Sequence, residues 1–392
     1  MTAPSRAIGS PSSARVPAQP QATSAPLTTS MAAPMAAVVY CEGQFASADG
    51  KTAHGLVRYS TLYRIVAVID SQAAGRDAGE LLDGLPNGIP IVADLKAAFR
   101  LGGPTPEAFI YGMAPADGLY SSSDRQVLLA AMAAGLSLVS GMREFLADDP
   151  VFAASAAGHR VTIQDVRRPP ALQDLRLFSG AISNVTCRRI AVLGTDGAIG
   201  KRTTATLLVQ TLNDHGIHAA LVSTGQTGII QGGRYGLPLD AIPSQFCSGE
   251  VEAAVVEAFN SEHPQVIVIE GQGSLSHPAY LSSTFILRGA QPQAVILQHA
   301  PRRRQRCDFP GVAMPTPQSE ITLIEAFAPT RVIGLTLNHE GMNSAQISAA
   351  IALYEAELHI PVTDPLTSAP ERLVQMVVRA FPELGAELAA MA

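Results

Sequence analysis

Ile190-Ala191-Val192-Leu193-Gly194-Thr195-Asp196-Gly197-Ala198-Ile199-Gly200-Lys201-Arg202-Thr203-Thr204 runs from an apolar strand through a glycine-rich turn into a polar, helix-forming segment. That order of elements is a phosphate-binding loop. Glycines at 194, 197 and 200 let the backbone bend and turn its N–H groups onto phosphate oxygens. The N-terminus of the following helix adds its positive dipole end. Lys201, expected on a solvated loop, reaches toward the outer phosphates as a mobile point charge. The expected nucleotide-binding set is therefore Gly194, Thr195, Asp196, Gly197, Ala198, Ile199, Gly200, Lys201, Arg202, Thr203 and Thr204. Five residues separate Gly194 from Gly200, one more than the usual spacing, and Arg202 stands where a Ser or Thr normally holds Mg²⁺. Thr203 and Thr204 follow as the available hydroxyls. The expected ligand is ATP with Mg²⁺.

Other segments gather around this loop. The apolar run 266–269 stops at Glu270-Gly271-Gln272-Gly273. A carboxylate at a strand tip beside a phosphate loop is placed to hold Mg²⁺ or its waters. Glu270 and Thr203 are the first candidates for metal ligation, with Asp240 as a further one. Asn338 ends another apolar run and could read adenine through its amide. Thr224-Gly225-Gln226-Thr227-Gly228 is glycine-rich and polar, so Thr224, Gln226 and Thr227 are expected on a substrate-binding turn, with Gln272, Ser274 and His277 facing the same substrate. His299 ends a further strand. In the first half of the chain, Lys51-Thr52-Ala53-His54-Gly55 is expected as a polar loop, with Lys51 holding a carboxylate and His54 acting as a base. The basic run Arg302, Arg303, Arg304 and Arg306 is either an anion site or a solvated loop.

The 392 residues suggest more than one domain. Residues 1–37 are rich in Ser, Pro, Ala and Thr and are expected to be a disordered tail, with Met31 or Met35 as alternative starts. Residues 38–170 alternate strand-like runs (37–40, 65–69, 91–93, 109–111, 136–140, 161–164) with helical stretches, which implies a parallel sheet covered on both faces. One of these strands ends in Asp70, as a ribose-binding strand would, but no Gly-x-Gly-x-x-Gly follows the first strand, so dinucleotide binding is not expected. Residues 171–186 read as a linker. Residues 187–392 again alternate strands and helices. The fold class is α/β: a Rossmann-like N-terminal sheet and a doubly wound P-loop C-terminal domain.

Apolar residues make up 47% of the chain and charged residues 15%, with a net charge of −6 and no long basic stripe, which argues against general nucleic-acid binding. Cys41, Cys187, Cys247 and Cys307 form no Cys-x-x-Cys pair, so a disulfide framework or zinc site is not expected and a reducing cytoplasm fits. No apolar run approaches the roughly 18 residues of a membrane span.

Gly194-Thr195-Asp196 with Gly200-Lys201, and the Glu270-Gly271 strand end, resemble dethiobiotin synthetase. A wider resemblance is to the two-domain P-loop family catalogued as domain of unknown function 1611. It is carried by residues 51–59, the phosphate loop, residues 224–228, Glu270-Gly271-Gln272-Gly273-Ser274-Leu275 with His277-Pro278, and Pro361-Val362-Thr363-Asp364-Pro365. It implies a nucleotide-binding enzyme. One branch of the family is described as D-glutamate N-acetyltransferases, and P-loop relatives are ATP-dependent ligases and kinases. This chain departs from the pattern at Gln245, where relatives carry Asp, and in its basic run at 302–306.

The chemistry expected first is ATP-dependent ligation of a small carboxylic acid or amino acid to an amine through an acyl phosphate. Lys201 and Glu270 would be central, and Lys51 and His54 would be supplied by the first domain. The alternatives are acetyl-CoA-dependent N-acetylation of an amino acid, and nucleotide-regulated binding without turnover. Small molecules, and further copies of the chain as a homodimer or larger homo-oligomer, are the expected partners.

Overall fold

The computed structural model describes residues 33–115 and 117–385. Met31 and most of the expected tail lie outside them. The first strand begins at Met35, inside the stretch expected to be tail.

In chain order the first domain comprises β1 (Met35–Tyr40), α1 (Lys51–Arg58), β2 (Tyr63–Ile69), α2 (Ala78–Asp83), β3 (Ile91–Val92), α3 (Leu95–Arg100), β4 (Ala108–Tyr111), α4 (Ser122–Ala133), β5 (Ser137–Ser140), α5 (Pro150–His159) and β6 (Ile163–Asp165). Its strands form one sheet in the order β3-β2-β1-β4-β5-β6, all parallel. The second domain comprises β7 (Arg188–Gly194), α6 (Lys201–Asp214), β8 (Ala219–Ser223), α7 (Gln226–Gln231), β9 (Tyr235–Gly236), α8 (Ser244–Glu262), β10 (Val266–Glu270), α9 (Ser282–Ala290), β11 (Ala294–His299), β12 (Gln305–Arg306), β13 (Phe309–Ala313), α10 (Pro317–Phe327), β14 (Arg331–Leu337), α11 (Ser344–Leu358), β15 (Val362–Thr363) and α12 (Glu371–Ala380). Its parallel sheet runs β15-β14-β11-β7-β10-β8-β9, while β12 and β13 form a separate antiparallel hairpin. The central strands β7, β10 and β11 are buried on both faces, which is why they read as unbroken apolar runs rather than alternating ones. The order reverses around β1 in one sheet and around β7 in the other, and in such sheets ligands sit outside the carboxyl ends of strands at the reversal.

Two segments expected as loops are helical. Lys51–Arg58 is α1, and Gln226–Gln231 is α7. These two short helices join the domains. Thr52 Oγ1 and Thr227 Oγ1 lie 3.0 Å apart. Gln231 Nε2 donates to the carbonyls of Gly55 at 2.6 Å and Tyr59 at 2.5 Å. Ile229 and Ile230 of α7 pack into the apolar core of the first domain. A Cβ at Gly55 would collide with the Arg202 guanidinium, so a side chain there would displace that group. The expected linker is also packed down: Glu250 and Glu252 of α8 take hydrogen bonds from Arg176, Ser179 and Ile182. Among the described residues no helix is long and apolar enough to cross a membrane.

Candidate functional site

β7 delivers the chain to Gly194, packed against Ile199 and the Gln298 carbonyl so that a Cβ would stand 2.9 and 3.1 Å from them. Residues 195–200 then curl back, and Gly200 enters α6 at φ +100, a conformation that favours glycine. Ala198 is also left-handed, at φ +47. Such a non-glycine residue costs roughly 1–2 kcal/mol, so its surroundings must hold it. Arg303 does so, donating to the carbonyls of Gly197 at 3.0 Å and Ala198 at 2.9 Å. Arg306 is buried and donates to the Thr195 carbonyl at 3.2 Å and to Ser274 Oγ at 2.7 Å. Half of the basic run is thus a brace for the loop rather than an anion site, while Arg302 and Arg304 are exposed. Asp196 is fully buried and accepts the Cys307 N–H at 2.8 Å. Among the described residues, the N–H groups from Gly197 to Lys201 have no acceptor in the protein. They are the donors an anion would meet.

Lys201 is not solvated. It is the first residue of α6, 6% exposed, with Nζ turned onto the Asp196 carbonyl. Burial lowers its pKa to about 8, against the opposing pull of Asp196 and Glu270. Glu270, at the end of β10, is 5% exposed. The backbone at Thr224 and Gly225 favours its ionised form, while Oε2 has no hydrogen-bond partner among the described residues and lies where a methyl on Gly228 would be 2.7 Å away. Burial raises its pKa to about 7, opposed first by Arg202 and also by Lys201. A carboxyl group that titrates near neutrality in a cleft is suited to proton transfer.

One cleft brings together Lys51, Lys201, Glu270, Gln226, Thr227 and Gln272. Five cationic side chains and three carboxylates line it, because Arg143 and Arg167 of the first domain and Arg202 join the lysines. No motif marks Arg143 or Arg167 in the sequence. Both reach Asp240, Arg167 Nη1 at 2.6 Å and Arg143 Nη2 at 3.3 Å.

Several expected roles move. Asp240 is held by those two arginines rather than presented to a metal. Thr204 Oγ1 donates to Gln298 Oε1 at 2.6 Å, leaving Thr203 as the nearer hydroxyl of the cleft. Arg202 stands at the usual hydroxyl position, so Thr203 and Glu270 are the oxygen donors of the cleft that could meet a Mg²⁺ ion beside phosphate and water. Among the described residues, no three His, Cys, Asp or Glu side chains converge as metal ligands. His54 lines a second cavity instead of the first; its Nε2 is 2.6 Å from the Phe45 carbonyl, and burial lowers its pKa to about 4. Asn338 donates to the Ile199 carbonyl at 3.1 Å and accepts the Glu340 N–H at 2.9 Å, so its amide braces the loop. Thr224 Oγ1 donates to the Glu270 carbonyl. Ser274 is fully buried beneath Arg306. His277 is buried and stacked on Tyr280, its Nδ1 accepting the Ala279 and Tyr280 N–H groups at 3.1 Å, which leaves the proton on Nε2, 3.7 Å from Asp196. Thr195 Oγ1 pairs with His299 Nδ1 at 3.0 Å behind the loop. Gln245 is exposed on α8 and does not line the cleft.

Residues 176–374 match the description "domain of unknown function (DUF1611_C) P-loop domain", and residues 71–169 match its N-terminal "Rossmann-like domain" counterpart. The chain belongs to the DUF1611 family. A crystal structure of a DUF1611 family protein from Anabaena variabilis superposes with a TM-score of 0.80 at 32% identity, over 88% of this chain and 99% of that one. Two similar proteins are named D-glutamate N-acetyltransferase. The one from Tritonibacter scottomollicae is 30% identical over 68% of this chain and 80% of its own length. The one from a Pseudoalteromonas species is 27% identical over 71% and 82%. The C-terminal half is therefore a P-loop domain of nucleotide-binding type, and the similar proteins with a named activity are enzymes.

Proposed function

We propose that this DUF1611 protein is an N-acyltransferase that moves an acetyl group from acetyl-CoA to the amino group of a small acidic amino acid. The observation that carries this reading is the guanidinium of Arg202, which lines one cleft with Lys201 and Glu270 and stands where a P-loop ATPase would keep its metal-binding hydroxyl. Lys201 and Arg202 supply fixed positive charge for a diphosphate without a metal ion. Glu270, with a pKa near 7, is then left for proton transfer rather than metal ligation. The amine attacks the thioester carbonyl, a C–N bond forms and the C–S bond breaks. The proton released by the amine passes to Glu270 and then to the departing thiolate. Lys51, and Arg143 and Arg167 beside Asp240, offer the charge to hold substrate carboxylates. D-Glutamate, named for the two relatives, is the first substrate to try.

ATP-dependent ligation, the chemistry expected first from sequence, would work through a Mg²⁺–triphosphate complex, whereas acetyl transfer needs no γ-phosphate cleavage. The test is to incubate the protein with acetyl-CoA and D-glutamate, with EDTA present and ATP absent. Thiol release matched by N-acetyl product is expected. Amide formation only with ATP, at one ADP per amide, would overturn the transferase reading in favour of the ligase.

A further inference from the structure

The phosphate loop is a wall shared by two cavities. Ala198, Ile199, Gly200 and Thr203 line both the cleft around Glu270 and a second cavity behind the loop. The second is built by both domains, with Arg58 and Leu82 on one side and His339 and Leu366 on the other. A diphosphate on the N–H groups of residues 197–201 would lie at the wall between the two cavities. We infer that the second cavity is the subsite for the nucleoside half of a nucleoside diphosphate ligand, with His339 Nε2 as the group that bonds its ribose. This rests on the reading of the loop as a diphosphate cradle.

His339 is prepared for such a contact. Its Nδ1 lies 2.6 Å from Asp364 Oδ2, and Asp364 is fully buried. The Leu366 N–H, at 3.0 Å, and Thr367 Oγ1, at 2.8 Å, fix that carboxylate. The ring is therefore oriented, and Nε2 is its remaining polar atom, on a side chain 34% exposed at the cavity. The hydrogen bond and charge of Asp364 raise the pKa of His339, with Asp83 adding to the effect and Arg58 opposing it. Neighbouring groups are already committed: Asn338 holds the loop, Arg58 forks onto Asp83, and Arg303 bonds Glu340 as well as the loop. Leu82, Leu337 and Leu366 provide apolar surface for a base.

The test is calorimetry with inorganic pyrophosphate and with ADP on the whole protein. Wild type should bind both, ADP more tightly. His339→Ala should weaken ADP about tenfold, the scale of one hydrogen bond to a charged group, and leave pyrophosphate unchanged. His339→Gln, which keeps a donor, should recover most of the ADP affinity and guards against a folding defect. Equal affinity of wild type for ADP and pyrophosphate, or unchanged ADP binding in a folded His339→Ala, would overturn the subsite while sparing the loop. Failure of pyrophosphate to bind wild type would overturn the cradle and the subsite together.

Discussion

Each half of this molecule contains a central strand, a loop at its carboxyl end and a helix, yet the two loops treat their backbone donors in opposite ways. After β1, the N–H groups of Gly43 and Phe45 donate to Asp70 at 3.1 Å each, and that of Gln72 donates to it at 3.0 Å. Asp70, 2% exposed, is an internal anion that occupies the loop permanently. After β7, the N–H groups of residues 197–201 meet no acceptor among the described residues, and the nearby acid, Asp196, is turned toward Cys307. The same architecture therefore gives one closed loop and one open to an outside anion. The acid that ends β2 looks like a ribose ligand in the sequence, but it is the plug of the neighbouring loop after β1.

The largest way to break this contrast is at Glu270, where the open loop meets the reacting groups. Glu270→Gln keeps shape and loses the base. We expect kcat/KM for acetyl transfer to fall by about 10²–10⁴-fold with ligand affinity largely kept, as steady-state kinetics and calorimetry would report. In wild type, kcat/KM should rise with pH and level off above about 7, as the carboxyl loses its proton. A variant with full activity would remove Glu270 from the chemistry.

The same group makes the open site costly to the fold. Its pKa of about 7 lies above the ordinary carboxylate value of 4.5, so the folded state holds the proton longer than the unfolded one does. Stability contributed by the protonated form is fully present below about 4.5 and is lost as pH rises toward 7, by on the order of 3 kcal/mol. Glu270→Gln should lack that loss. Its denaturation midpoint should gain on wild type between pH 4.5 and 7, and parallel curves would refute the assignment.

Lys201→Ala comes next. Removing the cation should weaken pyrophosphate by about 10–100-fold, the scale of a charge-assisted contact. Because Lys201 is buried with its pKa lowered, stability should be measured beside affinity. An unchanged affinity in a folded variant would mean that the backbone donors act alone.

The contrast between the loops also explains what could be read from the sequence. The strands were legible because buried parallel strands must be apolar throughout, as in 266–269. The phosphate loop was legible because a left-handed Gly200 and a close approach at Gly194 demand glycine. The helix at Lys51–Arg58 was not. Its first residues are Lys, Thr, Ala, His and Gly, and it is held partly by contacts with Thr227 and Gln231, which lie far along the chain, as well as by Ala53, Leu56 and Val57 in the core. The roles of Arg303 and Arg306 were hidden for a related reason. Their acceptors include backbone carbonyls of the loop, which leave no residue type to recognise. Glu270 could be found as an acid at a strand tip, but the cation that shares its cleft could not, because Arg202 occupies a position where a hydroxyl is normally sought.

The smallest effects, and the sharpest comparison, come from opening the closed loop. Asp70→Ala removes the internal anion and leaves buried N–H groups without an acceptor, which should cost about 1–3 kcal/mol and lower Tm. Pyrophosphate affinity at the other loop should not change, since Asp70 does not line that cleft. The vacated position would then be a small anion site made of backbone donors, like its counterpart after β7. Acetate or formate should rescue the variant, raising its Tm more than that of wild type under identical salt. The rescue should be under about 1 kcal/mol at concentrations near the dissociation constant, following simple binding linkage. Chloride at equal ionic strength controls for screening. Rescue by the carboxylate alone would show that an anion, and not a shape, is what closes the first loop. Equal shifts in both proteins would mean that the loop collapses once Asp70 is gone, and that the two loops differ in more than the anion one of them contains.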